Sequence, residues 1–290
     1  MSYRVLHLIT HLGVGGALDY MLHAVQGLDH ARYVVDVAAG TDELEWEGRA
    51  RAAARAFHPV PALRRALKPA EDARALGQLA ALMRRERYDV VHTHSSKAGA
   101  LGRLAAALAG VPAIVHTVHG FAWFQYHMSP RTQRFYKVVE AVSALYSSRV
   151  LTVCESNARD LVRERLVPAR KITTIYNGFD MAPFTVEVDR DAKCRELGLD
   201  PARPIVGMIG RLADPKAPLD FVEAARLAGV ARPDAQFVIV GDGPLRPAVD
   251  AAIAAGAPVR VLGMRADVPA ILPVLDVFAA SSIWEGLSRA

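Results

Sequence analysis

Short β-rich runs alternate with longer Ala-, Leu- and Arg-rich segments of helical period along almost the whole 290-residue chain, and this pattern limits the fold more than any single motif. The expected strands are Val5–Ile9, Tyr33–Ala38, Val90–Thr93, Ala113–Thr117, Val150–Val153 and Lys171–Ile175, then Ile205–Ile209, Gln236–Val240, Val259–Leu262 and Val274–Phe278. Expected helices lie between them, at Ala17–Leu28, Ala70–Arg85, Gly99–Ala109, Thr132–Tyr146, Asn157–Glu164, Pro218–Leu227 and Leu245–Ala254. Strand–helix alternation needs right-handed crossovers, and these put helices on both faces of a parallel sheet. Continuous apolar runs such as Phe237–Val240 suit strands buried on both sides. The fold class is therefore α/β.

The stretch from Asp180 to Pro204 is polar and marked by prolines, with a short helix expected at Ala192–Leu197. It divides the chain into an N-terminal Rossmann-like domain (1–183), a linker (184–203) and a C-terminal Rossmann-like domain (204–290). The second domain has only 87 residues, and it ends on Trp284–Ala290, which resembles a strand-to-helix turn with no helix behind it. It is expected to be incomplete.

Composition excludes several classes. With 52% hydrophobic and 22% charged residues the chain is not disordered, and a net charge of +5 is too small for a dedicated nucleic-acid binder. Cys154 and Cys194 cannot build a disulfide framework, so a reducing, cytoplasmic setting is expected. Arg103, Pro112 and His116 interrupt the most apolar stretch, and no membrane span is expected. Between Arg49 and Arg87, ten basic residues face three acids, a local charge of +7. Solvated helix faces explain most of that; an anionic membrane surface is the second reading.

Four places carry candidate chemistry. Gly13, Gly15 and Gly16 follow the first strand, where bare backbone at a helix N-terminus admits a phosphate, or simply makes a tight turn. No acid ends the second strand, since Asp36 lies inside it, so a dinucleotide site is not indicated. His92 and His94 share a strand face, and with His116 and His119 they can converge at the sheet's C-terminal edge. Core packing, ligand contact and metal binding all stay open for these four, although no carboxylate or Cys accompanies them. Arg211 and Lys216 flank a loop after the first strand of the second half, a spacing that grips two phosphates or belongs to a solvated loop. Glu285, after Ser281 and Ser282, can bind sugar hydroxyls or cap a helix. The aromatic run Phe121, Trp123, Phe124 and Tyr126 suits either buried packing or an acceptor- or membrane-touching lip. Asp189-Arg190-Asp191 has the Asp-x-Asp form of metal-dependent sugar transferases, but it falls in the linker and is taken as coincidence.

In order along the chain, Gly15-Gly16, Asp89–Lys97, Val115–Gly120, Ile175–Asp180, Gly210-Arg211-Leu212 with Lys216, Gly241–Pro244, Leu262–Val268 and Ser281–Leu287 resemble the retaining glycosyltransferases of family 4. They are most similar to bacterial members that build capsular, exopolysaccharide or O-antigen units. The resemblance implies a GT-B fold, with two Rossmann-like domains facing a cleft. It also implies a nucleotide-diphosphate-sugar donor and a lipid-linked or saccharide acceptor. No cofactor or metal is expected, and no nucleic-acid partner. Location is expected in the cytoplasm, at the inner face of the plasma membrane, with peripheral contact to anionic lipid.

By the same resemblance, Arg211 and Lys216 neutralise the diphosphate, and Gly15 and Gly16 approach it by their backbone. Gly241 belongs to the donor site, and Met264 and Arg265 lie beside the base. Glu285 matches the first Glu of a Glu-x7-Glu motif and contacts the sugar, as does His119. Front-face attack, with a phosphate oxygen taking the acceptor's proton, leaves no protein nucleophile to name. Phe121, Trp123 and Phe124 would form the acceptor or membrane lip. Two departures stand out: the second Glu of the motif falls past Ala290, and Ala217 stands where Gly is commoner. An inactive donor-binding fragment and a nucleotide-sugar epimerase are the alternative readings.

Overall fold

A computed structural model of the chain describes residues 2–13, 15–121, 123 and 128–288. The described residues form two compact units, one within 2–178 together with 286–288, the other 179–285.

The first unit holds seven parallel strands: β1 (Tyr3–Ile9), β2 (Tyr33–Ala39), β3 (Ala56–Pro59), β4 (Val90–His94), β5 (Ala113–Val118), β6 (Arg149–Thr152) and β7 (Ile172–Thr174). Their order is β3-β2-β1-β4-β5-β6-β7, so the winding reverses between β1 and β4. Helices α1 (Gly16–Gly27), α2 (Glu47–Ala53), α3 (Pro69–Glu86), α4 (Ser96–Ala109), α5 (Pro130–Tyr146) and α6 (Glu155–Arg163) cover the two faces. The period of two along β1 separates the cores. Val5 and Ile9 pack with Leu18, Met21 and Leu22 of α1, while Leu6 and Leu8 pack with Leu79 and Met83 of α3 and Ala105 of α4.

The second unit repeats the plan with four parallel strands, β8 (Ile205–Ile209), β9 (Gln236–Val240), β10 (Val259–Gly263) and β11 (Val277–Phe278), in the order β10-β9-β8-β11. Its helices are α7 (Arg190–Glu196), α8 (Pro218–Ala231), α9 (Arg246–Ala254) and the single turn α10 (Val268–Ile271). Ile205, Val238 and Val240 face one core, and Met208, Phe237 and Ile239 the other.

Several expectations need correction. Strand β3 and helix α2 had no counterpart in the sequence reading, because four edge residues ending in Pro59 and seven Ala/Arg-rich residues carry no readable period. The last strand keeps only Val277–Phe278, since Leu272–Val274 turn as a 3-10 helix around Pro273. The expected linker is largely part of the second unit. Asp189 caps α7 by accepting from Ala192 N at 3.0 Å, and Cys194, Leu197 and Leu199 are buried in one of that unit's cores. The Asp-x-Asp sequence is thus a helix cap. Both cysteines are buried and free.

The basic region 49–87 is largely neutralised by acids from outside it. Arg51 pairs with Glu47, Arg55 with Asp36, Arg64 with Asp42 and Arg65 with Glu43. Asp36 is fully buried and also accepts from Tyr88 at 2.7 Å. Burial would raise its pKa, but hydrogen bonds from His58, Arg55 and Tyr88 outweigh that and hold the carboxyl well below the usual range. Its work is structural.

Candidate functional site

In open α/β sheets, ligands bind outside the carboxyl ends of strands where the winding reverses. The first unit has this point at β1 and β4, the second at β8 and β11.

In the first unit, register sets His7 of β1 beside His92 of β4, and the period of two adds His94 on the same face. His7 Nδ1 lies 3.0 Å from His94 Nε2, and His94 Nδ1 lies 3.1 Å from His119 Nε2, just past β5. His92 Nε2 bonds Thr117 Oγ1 at 2.7 Å, and the edge of Tyr20 from α1 meets His119, ring centroids 4.9 Å apart. His116 does not join them. It pairs with Thr93 on the opposite face, bonds Thr93 Oγ1 at 2.9 Å and packs on Gly99, where an added Cβ would sit 2.5 Å from the ring. The expected set of four is therefore three, joined by His7, which the sequence reading did not place among them.

Burial pushes every one of these imidazoles toward neutrality. His7 falls to about 4 and His119 to about 3, while His92 and His94 fall well below their ordinary value, helped by each other's proximity. A neutral imidazole has one donor and one acceptor nitrogen. Because His94 uses both nitrogens, the chain His7–His94–His119 has only two states: all three protonated on Nδ1, or all three on Nε2. Its end, His119, offers a hydrogen bond and holds no charge.

Among the described residues, one trio of ring nitrogens lies within 4.8 Å, on His7, His92 and His94. Hydrogen bonds engage these imidazoles, and the His7 and His94 rings stack at 13°.

Thr10 and Ser95, at the tips of β1 and β4, were also missed. Their hydroxyls lie 2.7 Å apart, Thr10 Oγ1 accepts from Ala98 N at 3.1 Å, and Ser95 takes a left-handed φ of 65°. Ser95 lies within the Asp89–Lys97 motif, but only strand order pairs it with Thr10. Beside them α1 begins at Gly16, and at Gly15 an added Cβ meets nothing within 4 Å, which leaves room before the positive end of the helix.

A cavity of about 40 Å³ next to His119 is lined by Ser95, His116, Phe121, Trp123 and Glu140 among others. Phe121 and Trp123 stack at 4.6 Å and are 3% and 6% exposed, so these two are buried walls and no outward lip. Phe124 lies outside the described residues. Beneath the cavity, fully buried Arg103 makes a bidentate pair with Glu140 at 2.9 and 2.8 Å, tying α4 to α5. Burial would raise the Glu140 pKa, and the Arg103 guanidinium overrides it and holds the carboxyl low.

In the second unit, the segment after β11 lies along the turn after β8. Ser281 Oγ donates to the carbonyls of Lys216 and Ala217 at 2.9 Å each, and Ile283 N donates to Pro215 O at 3.0 Å. This brings Lys216 Nζ onto the Glu285 carboxylate, which also accepts from Ser282 Oγ at 2.8 Å. Arg211 is exposed nearby in sequence, with no side-chain partner among the described residues. Ala217 has a left-handed φ of 43°, the physical reason glycine suits that position.

Gly241, at φ 141°, passes so close to the backbone of Gly210 that any Cβ would collide with it. The tip of β9 needs glycine on that account alone. Met264 is 68% exposed, whereas Arg265 is held by Asp267 at 2.8 and 2.7 Å and by Glu196 at 2.6 Å.

Comparison with known families supplies the context for these two switch points. Residues 15–178 match the glycosyl transferase 4-like domain, and residues 203–290 match the glycosyl transferases group 1 domain. The chain belongs to the glycosyl transferase 4-like family.

It is 40% identical over 243 residues to an Escherichia coli UDP-Gal:alpha-D-GlcNAc-diphosphoundecaprenol alpha-1,3-galactosyltransferase, covering 81% of this chain and 62% of that protein. It is 32% identical over 250 residues to a 2-deoxystreptamine N-acetyl-D-glucosaminyltransferase of Streptomyces fradiae, covering 79% and 59%. The chain thus spans about three fifths of the length of these curated relatives. Its fold is similar to Anabaena Alr3699/HepE in complex with UDP and glucose, with a TM-score of 0.80 at 19% identity over 99% of this chain and 76% of that one. The fold is GT-B, as the resemblance implied. No helix of the described residues is long and apolar enough to cross a membrane.

Proposed function

We propose that the chain carries the donor- and acceptor-handling machinery of a retaining glycosyltransferase. It moves a sugar from a UDP-sugar to a lipid-linked saccharide in bacterial surface-polysaccharide synthesis, at the cytoplasmic face of the membrane and without a metal. The observation that carries this reading is the Lys216–Glu285 pair, where the turn after β8 meets the segment after β11, with Arg211 exposed on the same turn. The E. coli relative's lipid-linked acceptor and the UDP in the similar structure support the same substrate classes.

In the resting site, Lys216 and Glu285 neutralise each other. A diphosphate draws Lys216 away, Arg211 adds the second charge, and the freed Glu285 carboxylate accepts from sugar hydroxyls. Both cations stabilise the negative charge that grows on the departing diphosphate. In the first unit, His119 is neutral, so it hydrogen-bonds sugar and moves no proton. A phosphate oxygen of the leaving group takes the acceptor's proton on the face from which the diphosphate departs, and the anomeric configuration is retained. Gly15, Gly16, Gly241 and Met264 complete the donor side by backbone or surface contact, and Phe121 and Trp123 back the acceptor side. Arg265 acts through the Asp267–Glu196 cluster that positions its loop.

Titration calorimetry with UDP tests the reading. Lys216→Ala or Arg211→Ala should each weaken binding by roughly ten- to a hundred-fold, the worth of one charge-assisted hydrogen bond. Unchanged affinity in both variants refutes it.

A further inference from the structure

We propose that His7 and His94 are positioning residues that act on the donor sugar through His119, fixing its proton on Nδ1 so that its outer nitrogen is a hydrogen-bond donor. Strand register builds the chain of rings. His7 of β1 lies opposite His92, and His94 falls two residues further along β4 on the same face. His94 in turn lies opposite Thr117 of β5, and His119 falls two residues beyond it, just past the strand. Three imidazoles thus form a row across neighbouring strands at the winding reversal. Ring centres 5.3 and 5.4 Å apart are about as far apart as N···N distances of 3.0 and 3.1 Å allow. Each hydrogen bond therefore runs along the line of ring centres, the direction in which a ring nitrogen's proton or lone pair points. Packing alone asks for apolar residues here, as at Val5 and Ile9 on the same face of β1; the imidazole between them directs its hydrogen bond toward His94 and His119.

The two ends of the row decide its direction. Pointed either way, the chain leaves an N–H without a partner at one end and a bare lone pair at the other. Among the described residues, nothing bonds His7 Nε2 or His119 Nδ1. His7 is 2% exposed, and a buried N–H without an acceptor is less tolerated than a buried lone pair without a donor. His119, by contrast, lines the cavity of about 40 Å³, which has room for a water or a substrate oxygen. The lone pair therefore stays at His7 and the N–H goes to His119. His7 Nδ1 donates to His94 Nε2, and His94 Nδ1 donates to His119 Nε2. An isolated neutral histidine in water favours the proton on Nε2, so His119 holds the opposite tautomer only because its inner nitrogen is occupied by a donor. An N–H at that position selects an oxygen lone pair of the sugar.

This role deepens, and rests on, the reading of His119 as a sugar contact, but the position of the proton is measurable without any sugar. Isotope-labelled histidine and long-range proton–nitrogen NMR correlation report each tautomer, His119 being assigned by its loss in His119→Gln. At neutral pH the parent chain should carry the proton on Nδ1 in His7, His94 and His119. His94→Leu should return His119 to Nε2–H, and His94→Asn, whose amide N–H replaces Nδ1–H, should restore Nδ1–H. His92→Gln alters a ring packed on His94, centroids 4.3 Å apart, but outside the chain, and should leave His119 as it is. By calorimetry, His94→Leu should weaken UDP-galactose binding roughly ten-fold, the worth of one neutral hydrogen bond, while UDP binding is unchanged and His94→Asn stays close to the parent. The inference is overturned by His119 on Nε2 in the parent, by His119 still on Nδ1 in His94→Leu, or by an equal shift in His92→Gln. A His94→Leu chain whose UDP-galactose and UDP affinities change by the same factor also overturns it. A parent chain with all three protons on Nδ1 that binds neither nucleotide refutes the donor reading and leaves the tautomer assignment standing.

Discussion

Acidification from pH 7 to pH 5 should destabilise the first unit more steeply than its surface charges suggest, because its histidines are buried neutral. His7, at about 4 in the folded chain, has an ordinary value of 6.5, and His116 and His119 fall to about 3. A group with a depressed folded pKa leaves the unfolded chain binding more protons, so stability rises with pH through that window. The contribution is complete above pH 6.5, declines as pH falls below it, and is gone below the folded values. At about 1.4 kcal/mol per pH unit per proton, His7 alone loses roughly 2 kcal/mol between pH 7 and pH 5.

With His116 and His119 the upper bound is about 6 kcal/mol, and His92 and His94 act in the same direction. That is a large part of the 5–15 kcal/mol that holds a domain together. Glu140 and Asp36 act in the same direction, but their unfolded carboxyls titrate near pH 4, so they leave this window to the histidines. Urea unfolding followed by fluorescence at half-unit pH steps measures the slope, and His7→Gln with His92→Gln should flatten it. A loss below about 2 kcal/mol, or a slope the double variant leaves unchanged, would refute the assignment of these groups as neutral.

Glu140→Gln should destabilise the chain by about 3–5 kcal/mol in thermal or urea melts, because it strands the buried Arg103 charge; Arg103→Met with Glu140→Leu should recover most of that. Gly241→Ala should cost more than about 1 kcal/mol through its collision with the Gly210 backbone, whereas Ala217→Gly should raise the melting temperature by relieving a left-handed alanine. Dialysis against EDTA should leave UDP affinity unchanged by calorimetry, since the imidazole trio is engaged in hydrogen bonds.

Periodicity and turn chemistry made much of the molecule legible in one dimension. Alternation of strand and helix gave α/β, and the continuous apolar runs marked strands such as Ile205–Ile209 and Gln236–Val240 to the residue. The ordered motifs pointed to the family, and they singled out Lys216 and Glu285, 69 positions apart, as members of one site. What the chain could not declare was adjacency. His7 is an unremarkable interruption of an apolar run until the order β1-β4 sets it against His92 and His94, and His116 belongs with them by spacing but faces away by register. The burial of Phe121 and Trp123 was hidden for the same reason. Local sequence fixes which bonds a residue can make along its own element, while the partners across a sheet or beneath a helix are chosen by packing between segments distant in the chain.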